Sequence, residues 1–126
     1  MRSFAVAIVA LSCIACDLSG NAQEVRTVPG GSAARGRSIV ADGSFGCTAC
    51  HAIPQMRGVR GNVGPSLDAF AARAFIGGQI PNTSANLVGF LHDPPGVIAR
   101  TGMPNVNLSF ADARDVAAYL YTLEPK

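Results

Sequence analysis

The chain has 126 residues, ten of them Lys or Arg and eight Asp or Glu, for a formal net charge of +2. That length fits one domain, and the balanced charge, without any basic run, speaks against a nucleic-acid-binding surface. Aromatic residues make up 6% and tryptophan is absent. A domain of this size therefore has little bulky material of its own to fill a core, and a large bound cofactor would close that gap.

In chain order, residues 1–22 read as a secretory signal: Arg2, the apolar run Phe4–Cys16, then Gly20-Asn21-Ala22 as a small-x-small cleavage site. The apolar run is too short to span a bilayer as a helix, and no later run is long enough. Cys13 and Cys16 fall inside this signal, which leaves a lipid anchor at Cys16 open. Residues 23–32 form a flexible lead-in, and 33–126 form the domain. A first helix is predicted from Ala33 to Ala41, ended by Asp42-Gly43, with Gly36 inside it marking close approach of another element. Cys47-Thr48-Ala49-Cys50-His51 follows, then a loop over 52–65. Ser66 is placed to cap a short helix over 67–75, with Leu67, Phe70, Ala71 and Ala74 on one face. A turn region leads to a helix from about Thr83 to His92, stopped by Asp93-Pro94-Pro95. Residues 96–108 are a loop containing Met103-Pro104. The last helix is the clearest: Ser109 and Asp112 resemble a capping box, and Ala113, Val116, Leu120 and Leu123 recur at helical spacing. No strand-like alternation stands out.

Three chemistries compete for the Cys47–His51 segment. A redox dithiol belongs between a strand and a helix, and no strand run precedes this one. A structural zinc site needs four ligands, yet beyond His51 only His92 remains and no second cysteine pair follows. Haem attachment uses all three residues: Cys47 and Cys50 as thioethers, His51 as an iron ligand, and this spacing is its signature. The opposite face of the iron then needs a partner. Met56 is too near His51 in sequence to reach around a porphyrin, whereas Met103, between Gly102 and Pro104 in a loop, is far enough along. His92 is the rival ligand, although a histidine at a helix carboxyl end is also an ordinary finding.

These residues carry a resemblance to the small class I cytochromes c, covering roughly 34–123. It rests on Gly36 in the first helix, CTACH at 47–51, GPSL at 64–67, and MP at 103–104 before a helix ending DVAAYLYTL. The segment NLVGFLHDPPGVIARTGMP is also similar to the haem-c domain fused to the copper-bearing subunit of some terminal oxidases, where a Trp usually takes the place of Phe90. The resemblance implies an all-α cytochrome c fold of about four to five helices with long loops wrapping one covalent haem c. It implies thioethers at Cys47 and Cys50, and His51 and Met103 as axial ligands. It further implies that the Pro65 carbonyl accepts a hydrogen bond from His51, that Gly36 lets the first helix cross against Tyr119, and that Arg73 faces a propionate. Phe75 departs from relatives with Tyr at that place, which puts a second propionate contact in doubt.

An iron so ligated has no open position, which implies a monomeric periplasmic electron carrier, free or tethered, and not an enzyme. Its partners would be a quinol-oxidising complex, a terminal oxidase or a dehydrogenase. Arg57 and Arg60, just after the motif, are placed to steer an acidic partner. Two other readings stand beside this one: a protein that binds or senses a diatomic gas through a labile Met103 bond, and a thiol–disulfide oxidoreductase.

Overall fold

The computed structural model describes residues 26–56 and 61–126. The signal read over 1–22, with Cys13 and Cys16, and the loop arginines Arg57 and Arg60 lie outside the described residues. Five helices are present among them: α1 Ala33–Asp42, α2 Cys47–Cys50, α3 Ser84–His92, α4 Pro94–Val97 and α5 Phe110–Leu120. They are joined by long loops, one 3-10 turn and a minimal hairpin of β1 Phe75–Ile76 and β2 Ile80–Pro81.

α1 begins where Ser32 accepts a hydrogen bond from the Arg35 amide (3.3 Å) and ends at Gly43, whose φ of 77° suits glycine. The Ser109 hydroxyl caps α5 by accepting from the Asp112 amide (3.1 Å) and donates to the Asp112 carboxylate (2.6 Å). The short Asp side chain thus returns the bond to the hydroxyl, where a full capping box would use the backbone N–H. Along α5, Ala113, Val116 and Leu120 are buried, as is Leu123 just beyond it. Burying a Val or Leu stabilises by about 1.5–3 kcal/mol, against about 1 kcal/mol for a cap, so packing holds this helix more than its terminus does.

α1 and α5 cross at Gly36. A Cβ there would overlap the Asp115 carbonyl and lie 2.9 Å from Tyr119 Cβ, so only glycine permits this approach. Beside the crossing, Arg35 makes a two-point ion pair with Asp115: Nε to Oδ2 at 2.6 Å, Nη2 to Oδ1 at 2.9 Å. The Ser32 amide adds a third donor to the same carboxylate (2.7 Å). α3 packs on α5, and α4 folds back on α3.

Three expectations change. The helix over 67–75 is only a 3-10 turn, Phe70–Ala72. Ala69 sits at φ 52°, outside helical space, and Ser66 Oγ closes a local turn onto the Asp68 amide (3.2 Å). The buried Asn82 side chain then donates to the Phe70 carbonyl (3.4 Å) and the Arg73 carbonyl (3.0 Å), groups that a helix would pair internally. Strand pairing does occur, Phe75 with Pro81 and Ile76 with Ile80, turned through Gly77 and Gly78 at positive φ. The end of the lead-in is packed, with Val28 buried and Gly31 lying against α5, where a Cβ would come within 2.6 Å of the Arg114 carbonyl.

Candidate functional site

Gly46, at φ 67°, turns the chain into α2, the single turn Cys47–Cys50. Both thiols are free and partly buried. Burial pushes the Cys47 thiol up from its ordinary value, the opposite of what a nucleophilic redox dithiol needs. Three backbone hydrogen bonds tie 48–52 to the facing loop: Gly61 to Thr48 (3.0 Å), Gly64 to Cys50 (2.8 Å) and Leu67 to Ala52 (2.8 Å). The contact is so close that a Cβ on Gly61 would lie 2.5 Å from the Cys50 carbonyl carbon, and one on Gly64 would lie 2.7 Å from His51 Nδ1.

This zippered loop sets the imidazole. His51 Nδ1 lies 2.7 Å from the Pro65 carbonyl oxygen. A carbonyl only accepts, so Nδ1 carries the hydrogen and Nε2 keeps its lone pair. His51, Cys47, Cys50, Pro65, Arg73 and Met103 all line one cavity of about 400 Å3. Its remaining wall is mostly apolar, with Val40 of α1, Leu87 and Phe90 of α3, and Val116 and Leu120 of α5. Met103 is half-buried in the loop that follows α4, its amide donating to Thr101 Oγ1 (3.2 Å).

Arg73 Nη2 donates to the Ser66 carbonyl and lies 3.4 Å from the Asp68 carbonyl, and its guanidinium carbon sits 5.5 Å from the centre of the Phe70 ring. His92 goes elsewhere. Its Nδ1 lies 2.7 Å from the Leu108 carbonyl, its ring stacks on Phe110 at 4.1 Å, and it is not among the cavity-lining residues. Gly61, Gly64 and Thr101 are site residues whose parts the motif reading does not define. The sequence signal for the two glycines is the Gly-x-x-Gly-Pro spacing just after the motif.

The cavity suits a flat macrocycle bearing iron. It lies within the usual volume range for cofactor sites, offers one imidazole nitrogen and one thioether, and places two thiols at its edge. Among the described residues no three His, Cys, Asp or Glu side chains converge on a common point, so the donor set is not that of a protein-only metal cage.

A family model described as Cytochrome c matches residues 33–124. Among solved structures, SoxXA from P. pantotrophus aligns with a TM-score of 0.60 at 23% identity, over 75% of this chain and 82% of that one. Cytochrome c2 from Paracoccus denitrificans aligns at 0.55 and 23% identity, over 75% and 97%. Cytochrome c2 from Rhodobacter sphaeroides aligns at 0.59 and 17% identity, over 76% and 98%. A comparison with curated proteins returned no match. At these identities the structural likeness establishes the fold.

Proposed function

This chain belongs to the cytochrome c family, whose members hold covalent haem c and transfer electrons without being enzymes themselves, and from that premise we propose an exported single-electron carrier with His51 and Met103 as axial ligands. The observation that carries the reading is the meeting of Cys47, Cys50, His51 and Met103 on one apolar-walled cavity, with His51 Nε2 left free by the bond from Nδ1 to Pro65.

Each residue has a task there. Cys47 and Cys50 anchor the group covalently. The Pro65 carbonyl fixes the His51 ring and raises its basicity. Met103 supplies a thioether, which favours the reduced metal relative to a second imidazole. The apolar wall acts in the same direction, because added positive charge is costly in a low-dielectric surrounding. Arg73 offers a cation at the cavity wall for a carboxylate. The group itself supplies a one-electron redox couple with both axial positions filled. No helix among the described residues is long and apolar enough to cross a membrane. With cleavage after Ala22 the product is periplasmic, and its partners are redox proteins: a quinol-oxidising complex on one side, a terminal oxidase or dehydrogenase on the other.

The test is the mass and spectrum of the processed protein. One haem added to the mass of the chain from Gln23, no titratable thiol, and a sulfur-to-iron charge-transfer band in the oxidised form support the proposal. Met103→Ala should abolish that band, lower the potential and open the iron to carbon monoxide. A band that survives this change removes Met103 as the ligand, and free Cys47 and Cys50 thiols in the processed protein remove the whole reading.

A further inference from the structure

We propose that His92 is a positioning residue: together with Asp93 it latches the Met103 loop to the carboxyl end of α3, and so sets how firmly Met103 is held over the cavity. This rests on the reading of Met103 as a ligand.

The loop runs from Ile98 to Ser109, with Ile98 and Leu108 buried near its two ends and Met103 between them. Its internal hydrogen bonds are local: Thr101 amide to Ile98 carbonyl (2.9 Å), Met103 amide to Thr101 Oγ1 (3.2 Å) and Asn107 amide to Asn105 Oδ1 (2.8 Å). Such bonds shape the loop without fixing it to the body of the protein. Among the described residues, the hydrogen bonds that tie it to another element run to two consecutive residues at the end of α3. Asn105 Nδ2 donates to Asp93 Oδ1 (3.1 Å). His92 Nδ1 donates to the Leu108 carbonyl (2.7 Å). Asn107, at a φ of 61° that asparagine tolerates, immediately precedes Leu108. The His92 ring also stacks on Phe110, the first residue of α5, so one side chain joins the end of α3, the end of the loop and the start of α5.

A methionine held over a cofactor competes with any loop excursion that withdraws it. Each tie between the loop and α3 makes those excursions rarer. Losing one hydrogen bond of ordinary strength raises the population of the open loop by roughly five- to tenfold. A competing small ligand reads that population directly.

The experiment uses the mature, haem-loaded protein with imidazole as the probe. His92→Phe keeps the ring against Phe110 and removes the donor. It should raise imidazole affinity by roughly five- to tenfold and speed hydrogen exchange of the Thr101, Met103 and Asn107 amides. His92→Asn, whose amide nitrogen takes the place of Nδ1, should bring both back toward the parent. Tyr121→Phe removes a hydrogen bond to Asn82 that involves neither the loop nor the end of α3. It should lower the unfolding midpoint while leaving imidazole affinity unchanged. If His92→Phe leaves either imidazole affinity or loop exchange at parent values, the proposal is overturned. Met103→Ala separates the two readings. If that variant keeps the charge-transfer band, the ligand assignment fails and the coupling to Met103 falls with it, while loop exchange in His92→Phe still decides the latch.

Discussion

At Gly64 a hydrogen stands where any other residue would place a carbon against the His51 ring, 2.7 Å from Nδ1. The ring is pinned between that glycine and the Pro65 carbonyl, so its orientation is set by backbone and not by a neighbouring side chain. Gly64→Ala must either push the imidazole off the Pro65 carbonyl or move the loop bonded to Cys50. Overpacking of this kind costs roughly 1–3 kcal/mol. The expected outcome is a lower denaturant midpoint together with a shifted reduction potential, measured by chemical unfolding and by potentiometry. A variant matching the parent in both would show that the ring has slack. The attachment residues were legible in the sequence because Cys47, Cys50 and His51 are neighbours along the chain and their types declare their chemistry. The place of His92 was not. Its partner, the Leu108 carbonyl, lies across a loop, and a backbone carbonyl has no residue type to read.

Between elements, the α1–α5 crossing combines close backbone approach at Gly36 with a charged tie at its side. Asp115 is 5% exposed and receives Arg35 at two points and the Ser32 amide at a third. Its carboxyl is held below the ordinary value, first by the Arg35 hydrogen bond. A depressed folded-state pKa contributes stability that is fully present above the ordinary carboxylate pKa of about 3.9 and is lost as pH falls through the depressed value. Urea midpoints of the parent should therefore exceed those of Asp115→Asn near neutrality. The gap should narrow below about pH 4 and close under the depressed value, and a gap independent of pH would assign the effect to shape instead of charge. α5 was readable because its cap and its spacing agree. The segment 67–75 has the spacing of a helix but not its fate, since Asn82, more distant in sequence, takes two of its carbonyls. The second correction is of a different kind: Pro94 ends α3 as its chemistry requires and then opens α4, because a first helical turn has no use for the missing N–H.

At the scale of the whole molecule, the cavity wall and the core are largely the same residues. Val40, Leu87, Phe90, Val116 and Leu120 face the cavity, and through them α1, α3 and α5 meet. The shortage of aromatic side chains that marks the composition is resolved here, where the largest apolar filler is not an amino acid. A void of about 400 Å3, at roughly 24 cal/mol per Å3, would cost about 10 kcal/mol. That is comparable to the whole stability of a domain, roughly 5–15 kcal/mol. The folded state should therefore depend on the cofactor, not merely accommodate it. Cys47→Ala combined with Cys50→Ala removes both anchors while leaving the apolar wall intact. Purified free of cofactor, that variant should lose its cooperative thermal transition and its near-ultraviolet circular dichroism, and keep only part of its helical signal. A colourless chain that still melts cooperatively near the parent temperature would mean that α1, α3 and α5 close on one another unaided, by collapsing the space that the cofactor is proposed to fill.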